Sequence, residues 1–151
     1  MKTLAKTALL ATSIVVAMGG AAHADDRYGE QKVVYHINYD GGEDGKKYRG
    51  ALVNVQNHIN AVDKDQIDVK VVLHGDGVYL LRDAVEDQKL QSAVTSLKTQ
   101  NVQFVVCNNT LTGRDIDPDE DLFEVFDDDI VPSGVAELSY LQGQGYTYVK
   151  P

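Results

Sequence analysis

Ile67-Asp68-Val69-Lys70-Val71-Val72-Leu73-His74-Gly75-Asp76-Gly77 is the stretch from which the fold can be read. Its first seven residues are a β-branched, apolar run of strand length, and His74-Gly75-Asp76-Gly77 closes that run as a turn. Upstream, Lys32-Val33-Val34-Tyr35-His36-Ile37 is a second run of the same kind, ended by Asp40-Gly41-Gly42. Between the two runs, Leu52, Val55, Ile59 and Val62 recur at three- and four-residue steps, and Tyr48 and Ala51 widen the stripe. That spacing predicts a helix over about 46–62, with Asp44 placed to cap it. Downstream the alternation repeats. Leu80 to Lys98 reads as mostly helical, with Leu90, Ala93, Val94 and Leu97 on one face, and Val102 to Cys107 reads as a third strand broken by Asn108-Asn109.

The remainder continues the same order. Asp117-Pro118, a cap followed by a first-turn proline, predicts a short helix through Phe126. Ile130-Val131 is a brief strand. Ser133 caps a helix to about Gln142 with Val135, Leu138 and Leu141 inward, and Tyr146 to Val149 is the last strand. Strands separated by helical crossovers imply an α/β fold, a mostly parallel sheet with helices on both faces. No repeat, low-complexity tract or linker interrupts the pattern, so one domain over 25–151 is expected.

The first 24 residues read as a cleaved export signal rather than as fold. Lys2 and Lys6 make a basic start, Ala8 to Ala17 is uncharged and mostly apolar, and Ala22-His23-Ala24 offers a cleavage site before Asp25-Asp26. The apolar run is shorter than the ~20 residues needed to span a bilayer. A Sec-type leader and a periplasmic product are the expectation. The net charge of −9 becomes more negative when the two leader lysines are removed. Such a surface repels phosphate backbones and anionic lipid, which argues against nucleic-acid and membrane-surface partners.

One cysteine, Cys107, is present in the whole chain. An exported domain stapled by disulfides would carry an even set, so stability here must come from packing. In parallel sheets reactive groups collect at the carboxyl ends of strands, and His36, His74 and Cys107 all stand at such ends. If the first three strands are neighbours, these side chains share one rim. Ser133-Gly134 would bring helix-start N–H groups to the same end as an anion site. A cysteine beside imidazole or facing such N–H groups has its pKa lowered and becomes a nucleophile. One thiolate and two imidazoles also suit zinc or copper. The plainer reading is a small buried residue closing a strand, with His36 and His74 as hydrogen-bonded strand ends and His58 solvated or half-buried on its helix.

Other motifs fail on their residues. Gly41 to Lys47 lacks the first glycine and the final Ser/Thr of a phosphate loop, and carries two acids. Asp115, Asp117, Asp119 and Asp121 hint at calcium, but Leu122 stands where an EF-hand needs glycine. Without a CxxC pair there is no local resolving thiol, which disfavours thioredoxin-like exchange.

Four segments carry a family resemblance: 71–78 (VVLHGDGV), 102–111 (VQFVVCNNTL), 131–138 (VPSGVAEL) and 142–150 (QGQGYTYVK). In order and spacing the chain resembles the DsrE/DsrF-like family of small sulfur-relay and sulfur-oxidation proteins. The resemblance implies a three-layer α/β/α fold with a mostly parallel five-stranded sheet, in which strands one to three are adjacent. It also implies homo- or hetero-oligomers, often trimers or hexamers, and sulfur donor and acceptor proteins as partners. By this likeness Cys107 carries sulfane sulfur as a persulfide, with His74 nearby, and no resident cofactor is expected. The alternative reading is an oligomeric module that binds a metal or small ligand through His36, His74 and Cys107.

Overall fold

The structure is a computed structural model that describes residues 27–151; the expected leader lies outside the described residues. Five strands form one parallel sheet: β1 (Gln31–Ile37), β2 (Ile67–Leu73), β3 (Gln103–Cys107), β4 (Ile130–Val131) and β5 (Thr147–Val149). Their order across the sheet is β4-β3-β2-β1-β5, so the first three strands are neighbours and the last returns to the far side of β1. The centre of β1 is buried without interruption from Val33 to Ile37, as expected of a parallel strand covered on both faces.

Helix α1 (Lys46–Val62) buries Tyr48, Ala51, Leu52, Val55, Ile59 and Val62, the predicted stripe. It packs beside α3 (Gln88–Lys98) on the sheet face that presents Val33, Tyr35, Ile37, Val71, Leu73, Phe104 and Val106. The opposite face holds the smaller apolar cluster of Val34, Val72, Val105, Leu138, Leu141 and Tyr146. The helix there is α6 (Gly134–Gly143). This is a three-layer α/β/α arrangement with one thick and one thin outer layer. Among the described residues no helix is long and apolar enough to cross a membrane.

Five local expectations are corrected. Asp44 does not cap α1: Gly45 holds the cap position in the left-handed region (φ 70), and Asp44 is itself left-handed (φ 50) with its carbonyl held by Arg49. The segment 80–98 is two helices, α2 (Tyr79–Asp83) and α3, because the Asp87 carboxylate accepts from the N–H groups of Lys89 and Leu90 and starts a new helix. Asn108-Asn109 does more than end β3, since α4 (Asn108–Arg114) begins directly there. The helix from Pro118 stops at Asp121 as α5 (Pro118–Asp121), because the Phe123 N–H is spent on Leu81 O at 3.0 Å instead of on the preceding turn. Val135 is 64% exposed, and Gly134 takes the inward place beside Leu138 and Leu141.

Candidate functional site

Strand alternation decides which face each reactive side chain serves. His36 follows Val34 by two residues, and His74 and Cys107 follow Val72 and Val105 by two. All three therefore continue the face covered by α6. The register sets His36 beside Val72 and Leu73 beside Val106, which leaves His74 and Cys107 as the next residues along adjacent strands. The shared rim expected from sequence is present.

The two imidazoles meet directly. His36 Nε2 lies 2.7 Å from His74 Nε2, with the rings stacked at 4.7 Å between centroids and 24° between planes. The other His36 nitrogen, Nδ1, lies 2.7 Å from the hydroxyl of Tyr148. Tyr148 reaches it from β5, whose register places it beside Val34, one pleat below His36 on the same face. A nitrogen–nitrogen hydrogen bond needs a lone pair on one side and a proton on the other. Burial lowers the His36 pKa to about 4, helped by His74 and Lys150. Burial and Lys150 likewise lower that of His74. At neutral pH both rings are uncharged. Lys150 is held in place by Asn38, whose Oδ1 accepts from its ammonium at 2.9 Å.

Cys107 ends β3 and is also the N-cap residue of α4. Burial pushes its thiol pKa up, but the Gly134 N–H, the Thr110 hydroxyl and N–H, and the Asn109 N–H outweigh it, and the net shift is downward. Hydrogen bonds to the charged form are the cause of such a shift. The Thr110 oxygen accepts from the Gly75 N–H at 2.9 Å, which fixes the hydroxyl and leaves its proton free to donate. Gly134 is the hinge of the arrangement. A Cβ there would stand 3.0 Å from the His74 Cβ and 3.1 Å from the Cys107 Cβ, so only glycine lets the start of α6 settle onto both strand ends. Gly77 has a parallel role in the turn after β2, where a Cβ would lie 1.9 Å from Ile37 O.

Three expectations about this site change. The groups that lower the Cys107 pKa are backbone N–H donors and a threonine hydroxyl, not His36 or His74. The thiol is also recessed, at 5% exposure, rather than standing open on the rim. Ser133 and Gly134 divide their expected joint role: the Ser133 hydroxyl accepts from the Ala136 N–H at 3.4 Å to cap α6, and Gly134 alone faces the sulfur. His58 is half-buried, as expected, between Tyr35 and Gln31. Asp76 turns away to pair with Arg114 at 2.7 Å. Among the described residues no three His, Cys, Asp or Glu side chains are grouped to hold a metal ion. His36 and His74 direct their Nε2 atoms at each other.

Sequence reasoning missed Tyr148, Thr110 and Lys150. A hydroxyl three residues after a strand-end cysteine was a readable signal for Thr110, given a helix start at Asn108. Nothing local marked Tyr148.

A parallel five-stranded sheet with a recessed, hydrogen-bonded thiol at one strand end and a histidine pair beside it defines a small α/β protein with a strand-end cysteine site. The chain belongs to the DsrE/DsrF-like family, which matches residues 3–151. Among solved structures it is similar to MTH1491, a protein of unknown function from Methanobacterium thermoautotrophicum. The two are 32% identical with a TM-score of 0.68, over 81% of this chain and 100% of that one. No curated protein matches significantly.

Proposed function

We propose that this protein is a periplasmic sulfur-handling protein that carries or transfers sulfane sulfur as a persulfide on Cys107. The observation that carries the reading is the set of N–H and O–H donors on the sulfur, which lowers the thiol pKa in spite of burial. A thiolate is the form that attacks sulfane sulfur, and the same donors hold an anionic persulfide in its place. Membership of the DsrE/DsrF-like family supports a sulfur-relay role at a coarse level. Export by the leader, and assembly as a trimer or hexamer that meets donor and acceptor proteins, complete the proposal. The protein acts as a carrier with sulfurtransferase-like chemistry rather than as a fast stand-alone enzyme.

The direct test is the intact mass of reduced protein after exposure to a low-molecular-weight persulfide. Wild type gains about 32 Da, one sulfur atom, and Cys107→Ala does not. Equal gain in the two proteins, or none in wild type, rejects the carrier role. A second reading, an oligomeric interaction protein whose cysteine is merely buried, is favoured by the 5% exposure of Cys107. Alkylation separates the two. A carrier thiol reacts in native protein, whereas a sealed one reacts only after unfolding.

A further inference from the structure

We propose that the groove between α1 and α3 receives the Phe126 segment of a second copy of this chain, each copy placing its own Phe126 in the other's groove. The groove opens on the thick face of the sheet and has a volume of about 300 Å³. Its walls are apolar, formed by Leu52 and Val53 from α1 and by Ala93 and Leu97 from α3. Val53 is 55% exposed there, outside the stripe that α1 buries. Arg49 and Lys89 stand on the rim, and among the described residues no acid lines it. Arg49 also meets Asp87 at 3.5 Å, whereas Lys89 makes no salt bridge among the described residues. Acids outnumber bases 23 to 14 in the chain, so a groove lined by two cations and no carboxylate departs from the rest of the surface.

Charge and shape select the occupant. Glu124-Val125-Phe126-Asp127-Asp128-Asp129 sets four acids around one aromatic ring. Phe126 is 65% exposed, more than any other large apolar side chain among the described residues. The turn that carries it is already set. The Phe126 N–H donates to the Asp129 carboxylate at 3.2 Å, and the Asp129 N–H donates to Phe126 O at 2.8 Å. A segment ordered before contact loses little freedom on docking. Leu122 and Val125 anchor it in the same core cluster as Leu52 and Leu97, and Lys98 of α3 lies 5.3 Å from the Phe126 ring. Knob and groove therefore both border α3 on one side of the sheet. A twofold axis satisfies both at once, because in such an interface every contact occurs twice with the roles exchanged.

The energetics are those of a small interface with one anchor. An aromatic ring that leaves water for an apolar slot carries a large share of the binding. The flanking acids meet Arg49 and Lys89 at the rim, where salt screens their attraction. With a formal net charge of −9, two copies repel each other in most orientations. An acidic segment against a cationic rim, met twice, favours this orientation over the others. The pairing covers the thick face and leaves the α6 face, with Cys107, open to other proteins. It stands without the sulfur-carrier reading, which concerns that other face.

The test is analytical ultracentrifugation of wild type, Phe126→Ala and Val53→Glu over a range of concentration and sodium chloride. Both substituted side chains are exposed, so both variants keep the fold, which circular dichroism checks. Wild type should self-associate, more weakly as salt rises. Either substitution should raise the dissociation constant on the order of tenfold or more. Phe126→Ala keeps the groove and lacks the knob, whereas Val53→Glu keeps the knob and bars the groove with an acid. Mixed together, the two variants regain one of the two contacts. The mixture should therefore associate more tightly than either variant alone and less tightly than wild type. A wild type that stays monomeric overturns the proposal, as do variants that assemble just as wild type does. A mixture no more associated than its components rejects the reciprocal pairing.

Discussion

Tyr35 and His36 are consecutive residues that serve opposite faces of the sheet, and each face pairs an imidazole with a tyrosine hydroxyl. On the α1 side the Tyr35 hydroxyl meets His58 Nδ1 at 2.9 Å, and His58 Nε2 meets the Gln31 side-chain oxygen at 2.8 Å. On the α6 side Tyr148 meets His36, and His36 meets His74. The first pair ends on an amide, which does not titrate, so its hydrogen bonds are closed and hold α1 to β1. The second ends on another imidazole beside a thiol. Identical residue types thus make a brace on one face and a hydrogen-bonded histidine pair at the thiol's strand ends on the other. What lies beyond the pair decides which.

The faces also differ in thickness. The α1 side concentrates most of the buried apolar side chains, whereas the α6 side has six. Stability should therefore be dominated by one face, and the thiol's chemistry by the other. Phe104→Ala, on the thick side, should cost about 3–5 kcal/mol in urea unfolding. In the protein that remains folded, the alkylation midpoint of Cys107 should not move. A shifted midpoint would mean that the two faces are not independent.

Acidification should act next most strongly, and through the thin face. His36 is held neutral in the folded protein with its pKa lowered to about 4, below the 6.5 of an unfolded histidine. Its contribution is complete above about pH 6.5 and is lost as pH falls toward 4, because the unfolded chain then binds the proton that the fold refuses. The loss is on the order of 2–3 kcal/mol. His74 adds in the same direction. Denaturant midpoints measured between pH 7 and 4 should fall in wild type and change less in His36→Gln. Parallel slopes in the two proteins would return that burden to other groups, His58 included.

The smallest change in stability should bring the clearest change in chemistry. Gly134→Ala puts a methyl group 3.0 and 3.1 Å from the Cβ atoms of His74 and Cys107, so the start of α6 must lift slightly. The unfolding free energy should drop by about 1 kcal/mol, the scale of one hydrogen bond. The pH midpoint of Cys107 alkylation should rise, because the first of the donors that lower it is displaced. An unmoved midpoint would show that Thr110 and Asn109 suffice.

Much of this was legible before any coordinates. Periodicity located all five strands, and the stripe of α1 matched the residues it buries. His36, His74 and Cys107 were recognisable because each ends a strand. The misreadings share a cause. Leu80 to Lys98 looked continuous because its apolar periodicity runs through, and only the Asp87 cap divides it. Val135 looked inward on apolarity alone, but the contact of Gly134 with two strand ends sets the phase of α6. In each case a single close contact overruled a statistical pattern.

Burial periodicity is a local property, repeated every two or 3.6 residues, and so the order of strands and helices and the identity of the strand-end residues are determined by the sequence itself. The company those residues keep is not local. Tyr148 reaches His36 because β5 pairs with β1 across 112 positions of chain, and Gly134 reaches Cys107 because α6 crosses the thin face. Strand order and hydrogen-bond distance arise only when the whole sheet closes. The Gly134 donor on the thiol and the pairing of the histidines were accordingly decided by tertiary structure, whereas the Asn109 and Thr110 donors come from the local helix start after Cys107.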